Sequence, residues 1–485
     1  MKVLNSIRPA SVTINPASVA VTCNDKEITY HELYQLVDKT VLFLAQHGIR
    51  ENDTVCLLFS NGLEFIVTVL ALWETGAIPV PLNTKLLVKE LSEQTKFLNP
   101  KLIIKSKELE NTNVRNNDLI IPFEKLTLVK QKIKIEDFSR EKTALMLFTS
   151  GSSGKPKAVM LSFENLIQSA LIGDKVLLQT EKDKWLASLP FYHIGGFSII
   201  FRAIMFGASI VIPTSLSSDD LKEAILKYHP TLASLVSNQL KKLADMNFIP
   251  PKELRMVLIG GGFSDKELIL KAIDMNWNIA KVYGLTETSS FISIMNKEDV
   301  RRKPEASGKA ILPNQVFIYS GDEELLSSKS GEIIVKSPSV MKGYFKSDDE
   351  TNSKLKNDLF STGDIGYLDE EGFLFVETKR SDLIISGGEN IYATEIEKII
   401  STNKDVKEVS VTGIEDKTWG QVVSAAIVLN KDAKLSESDL RSFLKDKLAG
   451  YKIPKKILFV NELPKTELGK VIIEKLKNLF NTNKD

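Results

Sequence analysis

The segment from Thr149 to Lys157 joins hydroxyls, glycines and lysines directly after an apolar run, Thr143 to Phe148. Glycine lets the backbone come close to a ligand, and successive N–H groups, hydroxyls and lysines suit a polyphosphate. It is not a Walker A loop, because Pro156 stands where that loop needs Ser or Thr and the start of a helix. A flexible Ser/Gly surface turn is the alternative interpretation, since such turns are common. The predicted phosphate-binding residues are Thr149, Ser150, Gly151, Ser152, Ser153, Gly154, Lys155 and Lys157.

A second candidate segment, Tyr283 to Thr288, brings together an aromatic ring, hydroxyls and a carboxylate. An aromatic face can stack on adenine, and threonine hydroxyls can bond phosphate oxygens. A carboxylate beside phosphates is a natural Mg²⁺ ligand, because magnesium prefers oxygen. The alternative is a strand end followed by a helix that Thr286 caps. The predicted nucleotide-binding residues are Tyr283, Gly284 and Thr286, with Glu287 as metal ligand and catalytic residue.

Two shorter segments could complete a nucleoside site. Gly261 and Gly262 follow the apolar run Met256 to Ile259, and glycines there would let the backbone contact a flat base. A strand-to-helix turn is an equally physical interpretation of this glycine run. Taken alone, the tetrapeptide that ends in Asp364 is typical of a turn, although an acidic acceptor can also pair with a ribose diol, as it does in dinucleotide sites.

In this order, the segments resemble the motifs of the adenylate-forming superfamily, which includes acyl- and aryl-CoA synthetases, luciferases and the adenylation domains of peptide synthetases. The resemblance covers nearly the whole chain. It is carried by Thr149–Lys157, Tyr283–Thr288, Ser361–Asp364, Thr378–Asp382 and Pro464–Lys470.

The last two motifs imply the moving parts of the enzyme. By resemblance, Lys470 is the catalytic lysine and Asp382 is the hinge about which a small domain rotates. Lys379, or its neighbour Arg380, would reach the ribose or phosphate side. The family usually has arginine at the position of Lys379, and lysine keeps that charge but loses the fork geometry. A solvent-exposed charge pair in a linker is the alternative.

Two residues point to the acid substrate. By resemblance, His193 belongs to the element that closes over the reacting carboxylate. Arg202 lies among apolar residues, and a buried guanidinium without a partner costs several kcal/mol. An internal carboxylate, or an arginine that reaches the surface, would answer this charge. The alternative is a second carboxylate on the substrate.

A closer resemblance favours that alternative. Phe191–Ser198, Arg202 and Ser234–Leu243 look like the 2-succinylbenzoate–CoA ligases of menaquinone biosynthesis, whose substrate is a dicarboxylic aromatic acid. The same likeness assigns Ser237 to the substrate, although residues 237–239 could instead cap the following helix.

The resemblance implies an AMP-forming acid–thiol ligase that uses ATP, Mg²⁺ and coenzyme A with a small carboxylic acid. Alternatives are a medium-chain or aromatic acyl-CoA synthetase, or an adenylation enzyme that loads a carrier protein. A nucleotide-binding protein without activity is disfavoured because Glu287, Asp364, Asp382 and Lys470 are all present, whereas a luciferase-like oxygenase shares the fold and stays an alternative.

The elements that must position these residues alternate between short apolar strands and longer helical patterns, which predicts an α/β fold with parallel sheets covered by helices. From about residue 305 the pattern changes to short strands and turns. We expect an N-terminal domain over 1–380, with a β-rich subdomain at about 305–380, and a mobile α+β C-terminal domain over 381–485.

Composition limits the remaining classes. The 485 residues include 63 Lys plus Arg and 62 Asp plus Glu, so no excess positive charge exists to drive nucleic-acid binding. The two cysteines have no metal or redox spacing and fit a reducing compartment. The run from Ile194 to Pro213 contains Arg202 and predicts a buried helix followed by a strand, not a membrane span. We expect a cytoplasmic protein and leave a homodimer open.

Overall fold

A computed structural model of the chain describes residues 15–112, 114, 118–123, 139–150, 156–261, 265–378, 383–431, 433–465 and 471–482. Its two-part α/β architecture, with a large N-terminal part of sheets and helices and a smaller C-terminal part, confirms the predicted fold class.

The largest layer is a nine-stranded sheet. From one edge to the other its strands are β14 (Lys309–Ala310), β13 (Ser293–Met295), β12 (Ile279–Tyr283), β11 (Met256–Ile259), β10 (Leu232–Leu235), β8 (Lys184–Leu186), β9 (Ser209–Ile212), β1 (Val19–Cys23) and β2 (Lys26–Thr29). Strands β12 to β1 pair in parallel, and β13, β14 and β2 add antiparallel edges. Because parallel strands place their carboxyl ends at one edge, the loops after β8, β10, β11 and β12 meet there.

Two three-stranded sheets pack beside this layer. One is parallel and the other antiparallel. Their strands are β4 (Ile78–Pro81), β3 (Thr54–Leu58) and β5 (Leu102–Lys105), then β18 (Gly343–Tyr344), β7 (Pro156–Ser162) and β6 (Thr143–Ser150). Strands β6 and β7 pair up to Ser150 and Pro156, so the predicted phosphate segment joins two neighbouring strands.

Helices cover the sheets. They are α1 (Tyr30–Gln46), α2 (Leu63–Glu74), α3 (Val88–Leu98), α4 (Phe163–Leu177), α5 (Ile194–Phe206), α6 (Ser218–Tyr228), α7 (Ser237–Asp245), α8 (Lys266–Asp274), α9 (Lys297–Arg302), α10 (Asp348–Lys354), α11 (Ala393–Ile400), α12 (Glu437–Lys445) and α13 (Ile473–Thr482). Capping side chains set several of their starts: Ser162 accepts a hydrogen bond from the Asn165 N–H, which fixes the first turn of α4. The predicted helix and strand in Ile194–Pro213 are α5 and β9. No helix among the described residues is long and apolar enough to cross a membrane.

The part of the chain between Gln315 and Thr378 contains an antiparallel six-stranded sheet. It contains β16 (Glu323–Glu324), β15 (Gln315–Ser320), β17 (Gly331–Lys336), β20 (Leu359–Leu368), β19 (Leu355–Lys356) and β21 (Leu374–Thr378). Residues Asp369–Gly372 form the hairpin turn between β20 and β21, where the Asp369 carboxylate accepts hydrogen bonds from the N–H groups of Glu371 and Phe373.

The C-terminal part is built on a five-stranded sheet. Its strands are β23 (Glu389–Tyr392), β22 (Leu383–Ser386), β25 (Gly420–Leu429), β24 (Val406–Asp416) and β26 (Lys456–Phe459). Ile396 and Ile400 of α11 and Leu440 and Leu444 of α12 fill a hydrophobic core that is separate from those of the N-terminal part. The predicted boundary at residue 380 lies outside the described residues, so the division into 1–380 and 381–485 stays a prediction.

Candidate active site

A cavity of about 360 Å³ opens at the carboxyl edge of the nine-stranded sheet. The loops after β8, β10, β11 and β12 form most of its wall, and the C-terminal part closes one side of it. The predicted site residues that line it are Thr149, His193, Arg202, Gly261, Gly284, Thr286, Glu287 and Asp364. Residues from six separate motifs therefore meet at one place.

Asp364 stands on β20 and is almost completely buried, with 1% of its surface exposed. The Tyr283 hydroxyl donates to Asp364 Oδ2 over 2.9 Å. The Tyr283 ring is itself buried and does not line the cavity, so here it positions the carboxylate instead of offering a stacking face. An acidic acceptor held in this way fits a ribose diol.

Glu287 lies in a short 3₁₀ turn, Thr286–Thr288, at the cavity wall. Its Oε1 accepts a hydrogen bond from the Tyr344 hydroxyl over 2.9 Å. Within the described part of the chain, no group of three or more His, Cys, Asp or Glu side chains could hold a metal ion. Magnesium usually binds through one or two carboxylates and completes its shell with phosphate oxygens and water. Glu287 therefore fits a magnesium ion that binds together with a polyphosphate.

The ends of the phosphate segment differ in their environment. Thr149 lines the cavity, whereas Lys157 is buried, forms an ion pair with Glu350 and does not line the cavity. In this arrangement the Lys157 side chain is therefore held by Glu350 at the end of the phosphate segment and does not reach the cavity.

Arg202 projects from α5 into the cavity with only 2% of its surface exposed. Its guanidinium carbon lies 4.0 Å from the centroid of the Phe291 ring, and its Nη2 donates to Ser290 Oγ over 3.3 Å. Burial lowers the pKa of this guanidinium to about 9, so it remains charged at pH 7. No carboxylate pairs with it among the described residues. An internal Asp or Glu, one of the two predicted answers, is therefore not found there.

Sequence reasoning missed Glu389, which joins the two parts of the protein at this cavity. Its Oε2 lies 3.0 Å from His193 Nε2, and its Oε1 accepts a hydrogen bond from Lys85 Nζ over 2.7 Å. Burial alone would raise the pKa of Glu389, but the hydrogen bond and charge of His193 and the charge of Lys85 outweigh it and lower the pKa to about 2. The buried, ionised carboxylate of Glu389 in the C-terminal part thus contacts His193, the histidine predicted to lie at the substrate acid.

The feature of the sequence that could have identified Glu389 is the glycine pair before it, Gly387 and Gly388, which follows the strand β22. Gly388 has a φ of +88°, and a Cβ there would lie 3.0 Å from Val236 Cγ1. Only glycine allows the β22–β23 turn to lie against the loop after β10. The same turn places Glu389 and Asn390 at the cavity wall, and the Gly387 N–H donates to the carbonyl of Trp419, another residue of that wall.

Ser237, the predicted substrate residue, does not line the cavity. It begins α7, where Gln239 Oε1 accepts the Val236 N–H over 3.2 Å and Gln239 Nε2 donates to the Ser188 carbonyl over 2.9 Å. Gln239 thus caps the start of α7, and the assignment of Ser237 to the substrate stays a prediction.

Several predicted residues fall outside the described part of the chain. They are Gly151, Ser152, Ser153, Gly154, Lys155, Gly262, Lys379, Arg380, Asp382 and Lys470. For Ser150 only the backbone, the last residue of β6, is described.

Comparison with known proteins agrees with this geometry. The family model for AMP-binding enzymes matches residues 10–345, and the model for the AMP-binding enzyme C-terminal domain matches residues 395–470. The chain is 36% identical over 475 residues to a 2-succinylbenzoate–CoA ligase of Geobacillus sp. (strain WCH70), covering 97% of this chain and 96% of that protein.

Two crystal structures of one enzyme, o-succinylbenzoate CoA synthetase from Bacillus subtilis, resemble the chain to different degrees. A double mutant bound to a product analogue matches with a TM-score of 0.91 at 33% identity, covering 98% of both chains. The complex with ATP and magnesium matches with a TM-score of 0.75 at 33% identity, covering 97% of this chain and 98% of that one. The two crystals therefore hold that enzyme in different overall arrangements, and the present chain has the arrangement of the product-analogue complex.

Proposed function

The chain belongs to the AMP-binding enzyme family, and from that premise we propose that it is an ATP-dependent acid–CoA ligase that converts 2-succinylbenzoate to 2-succinylbenzoyl-CoA. In the first half-reaction, a substrate carboxylate oxygen attacks the α-phosphorus of ATP. The bond to the bridging oxygen breaks, and pyrophosphate leaves. In the second, the coenzyme A sulfur attacks the carbonyl carbon of the acyl-adenylate, AMP leaves and the thiol proton passes to solvent.

The proposal that the acid substrate is 2-succinylbenzoate rests on one observation. Arg202 is a buried, charged guanidinium at the cavity wall, and the described residues give it a ring and a hydroxyl but no carboxylate. A charge buried in this way is costly unless an anion answers it. The second carboxylate of 2-succinylbenzoate supplies that anion while the first reacts. A monocarboxylic acid would leave Arg202 unpaired.

The other proposed site residues position the substrates and neutralise the charge of the phosphates. Asp364, fixed by Tyr283, accepts the ribose hydroxyls, and Thr149 with the following loop holds the phosphates. Glu287 would hold Mg²⁺, which supplies charge neutralisation at the phosphates when bound. His193 borders the reacting carboxylate. Because both nucleophiles come from the substrates, catalysis rests on orientation and charge stabilisation.

Lys470 is the proposed catalytic lysine, and Asp382 is the proposed hinge. Lys470 would neutralise the charge that gathers as the carboxylate meets the α-phosphate, and Lys379 or Arg380 would assist on the ribose or phosphate side. We expect Lys470→Ala to slow adenylation ~10²–10³-fold, the effect of losing a transition-state donor. Lys465→Ala is the matched control, because Lys465 forms an ion pair with Glu408 over 2.6 Å. Near-normal adenylation by Lys470→Ala would contradict the assignment.

The direct test is pyrophosphate release from ATP with 2-succinylbenzoate, benzoate or octanoate, each with and without coenzyme A. We expect pyrophosphate release with 2-succinylbenzoate, and formation of the coenzyme A thioester with release of AMP only when coenzyme A is present. Preference for benzoate or octanoate would make the enzyme an aromatic or medium-chain acyl-CoA synthetase. Transfer to a carrier protein but not to coenzyme A would identify a carrier-loading enzyme.

We propose the cytoplasm as the location, in keeping with Cys23 and Cys56, neither of which forms a disulfide. A homodimer is a further proposal, and light scattering of the purified chain tests it.

A further inference from the structure

Lys452 forms ion pairs in two directions. It ends a short 3₁₀ turn, Gly450–Lys452, and only 5% of its surface is exposed. Its Nζ donates to Glu90 Oε1 over 2.6 Å and to Glu395 Oε1 over 2.7 Å. Glu395 belongs to α11 in the same C-terminal part, whereas Glu90 belongs to α3 in the N-terminal part. One bond therefore stays within the C-terminal part, and the other crosses between the two parts.

The crossing pair is largely shielded from water. The exposed fraction of the side chain is 6% for Lys452 and 12% for Glu90. Burial alone would lower the pKa of Lys452, but the charges of Glu395 and Glu90 outweigh it and raise that pKa. Screening by salt is weak at such a site, so this pair contributes more than an exposed surface pair. None of the three residues lines the 360 Å³ cavity.

We propose that Glu90 and Lys452 form a latch that stabilises the arrangement for acyl transfer to coenzyme A, with Lys452 as a positioning residue. This proposal rests on the proposed function, because it assigns the latch to its second half-reaction. The arrangement is the one shared with the product-analogue complex of the B. subtilis enzyme. Glu395 keeps Lys452 paired when the two parts separate, so only the bond to Glu90 depends on the arrangement.

Glu90→Gln removes this bond with little other change. Glu90 Oε2 also accepts the Leu87 N–H over 2.8 Å, which caps the start of α3. A glutamine carbonyl oxygen can keep that hydrogen bond, since Glu and Gln both serve at this helix position. The matched control is Glu93→Gln on the same helix, because Glu93 is exposed and forms no ion pair among the described residues.

The test measures the two half-reactions separately in the full-length enzyme. Adenylate formation is followed in a single turnover without coenzyme A, and acyl transfer is followed after mixing the preformed adenylate enzyme with coenzyme A. For Glu90→Gln we expect acyl transfer to slow roughly 10-fold, less than the loss of the sole partner of a buried charge would cause, because Lys452 keeps its bond to Glu395. Adenylate formation should be unchanged or faster, and Glu93→Gln should match the wild type. Equal slowing of both steps, or no effect on transfer, would overturn the latch.

A structural measurement keeps the latch testable apart from the chemistry. Spin labels on the two parts report their separation by pulsed EPR without any substrate. Glu90→Gln should depopulate the short distance relative to wild type and to Glu93→Gln, and unchanged distances would refute the proposal. A wild-type enzyme that forms no adenylate with 2-succinylbenzoate would instead contradict the proposed function.

Discussion

Replacing Arg202 with methionine should remove the recognition of the second substrate carboxylate and leave the rest of the reaction intact. Methionine fills a similar volume without charge, so the side chain still packs on Phe291 and leaves no large cavity. The variant tests the charge itself, not the shape of the pocket.

The magnitude follows from the burial of the guanidinium. Removing one partner of a buried charge pair costs ~3–5 kcal/mol, because the other charge stays buried and unpaired. At ~1.4 kcal/mol for each factor of ten, kcat/KM for 2-succinylbenzoate should fall at least about 10²-fold. For benzoate, which has no second carboxylate, kcat/KM should stay within a few-fold or rise.

The free protein should respond in the opposite direction. Without substrate, Arg202 has no carboxylate partner among the described residues, and its charge is desolvated. Replacing buried charges with apolar residues of similar volume is often neutral or stabilising by ~1–4 kcal/mol. We therefore expect an equal or higher thermal unfolding temperature for Arg202→Met.

The assay is pyrophosphate release across the same three acids, with Arg255→Met as control. Arg255 bonds Asp183 through its Nε over 2.8 Å, so its loss should lower stability without changing the order of the acids. An Arg202→Met enzyme that still prefers the dicarboxylic acid, or that loses benzoate activity equally, would refute the reasoning.

Three further outcomes follow from single contacts. Gly173→Ala would place a Cβ 2.4 Å from the Phe291 ring, so the ring that supports the Arg202 guanidinium must shift. Pyrophosphate release with the three acids should then show a weaker preference for 2-succinylbenzoate, while KM for ATP is unchanged. Tyr283→Phe removes the hydrogen bond to Asp364 and should raise KM for ATP roughly 10–100-fold in steady-state kinetics, the value of one hydrogen bond to a charged group. The pKa of Glu389 lies at about 2, below its ordinary 4.5, so the unfolded chain takes up the proton at a higher pH than the folded chain does. The free energy of unfolding should therefore fall by about 3 kcal/mol as the pH drops from 4.5 through 2. Glu389→Gln should lack this pH-dependent loss of stability in an acid titration.

Local sequence was sufficient where short-range sterics decide the conformation. The apolar run Ile194–Pro213, interrupted by Arg202, predicted a buried helix followed by a strand, and the structure contains both as α5 and β9. The length of a long strand is a different case: β24 extends over Val406–Asp416 because it pairs along its whole length with β25. Such an extension depends on the partner strand, which the local residues do not reveal.

The motifs of the site were also identified from the sequence, because their order along the chain resembles that of a known family, although each motif alone left a structural alternative open. Sequence alone identified Glu287, Asp364 and Arg202 as candidates that the fold then brings to one cavity. For Arg202 it left two kinds of partner open. The fold buries the guanidinium against Phe291 and Ser290 and pairs it with no carboxylate among the described residues, so recognition of a substrate carboxylate stays a proposal.

Only the tertiary structure disclosed the contacts between the two parts. Glu389 meets His193 across 196 residues of sequence, and Lys452 meets Glu90 across 362. As isolated residues in the sequence, Glu90 and Lys452 are ordinary surface charges. They become a shielded pair because α3 and the turn at Gly450–Lys452 come together when the domains dock. Local sequence sets conformation through sterics and hydrogen bonds over a few residues, whereas such pairs are set by which surfaces meet after folding.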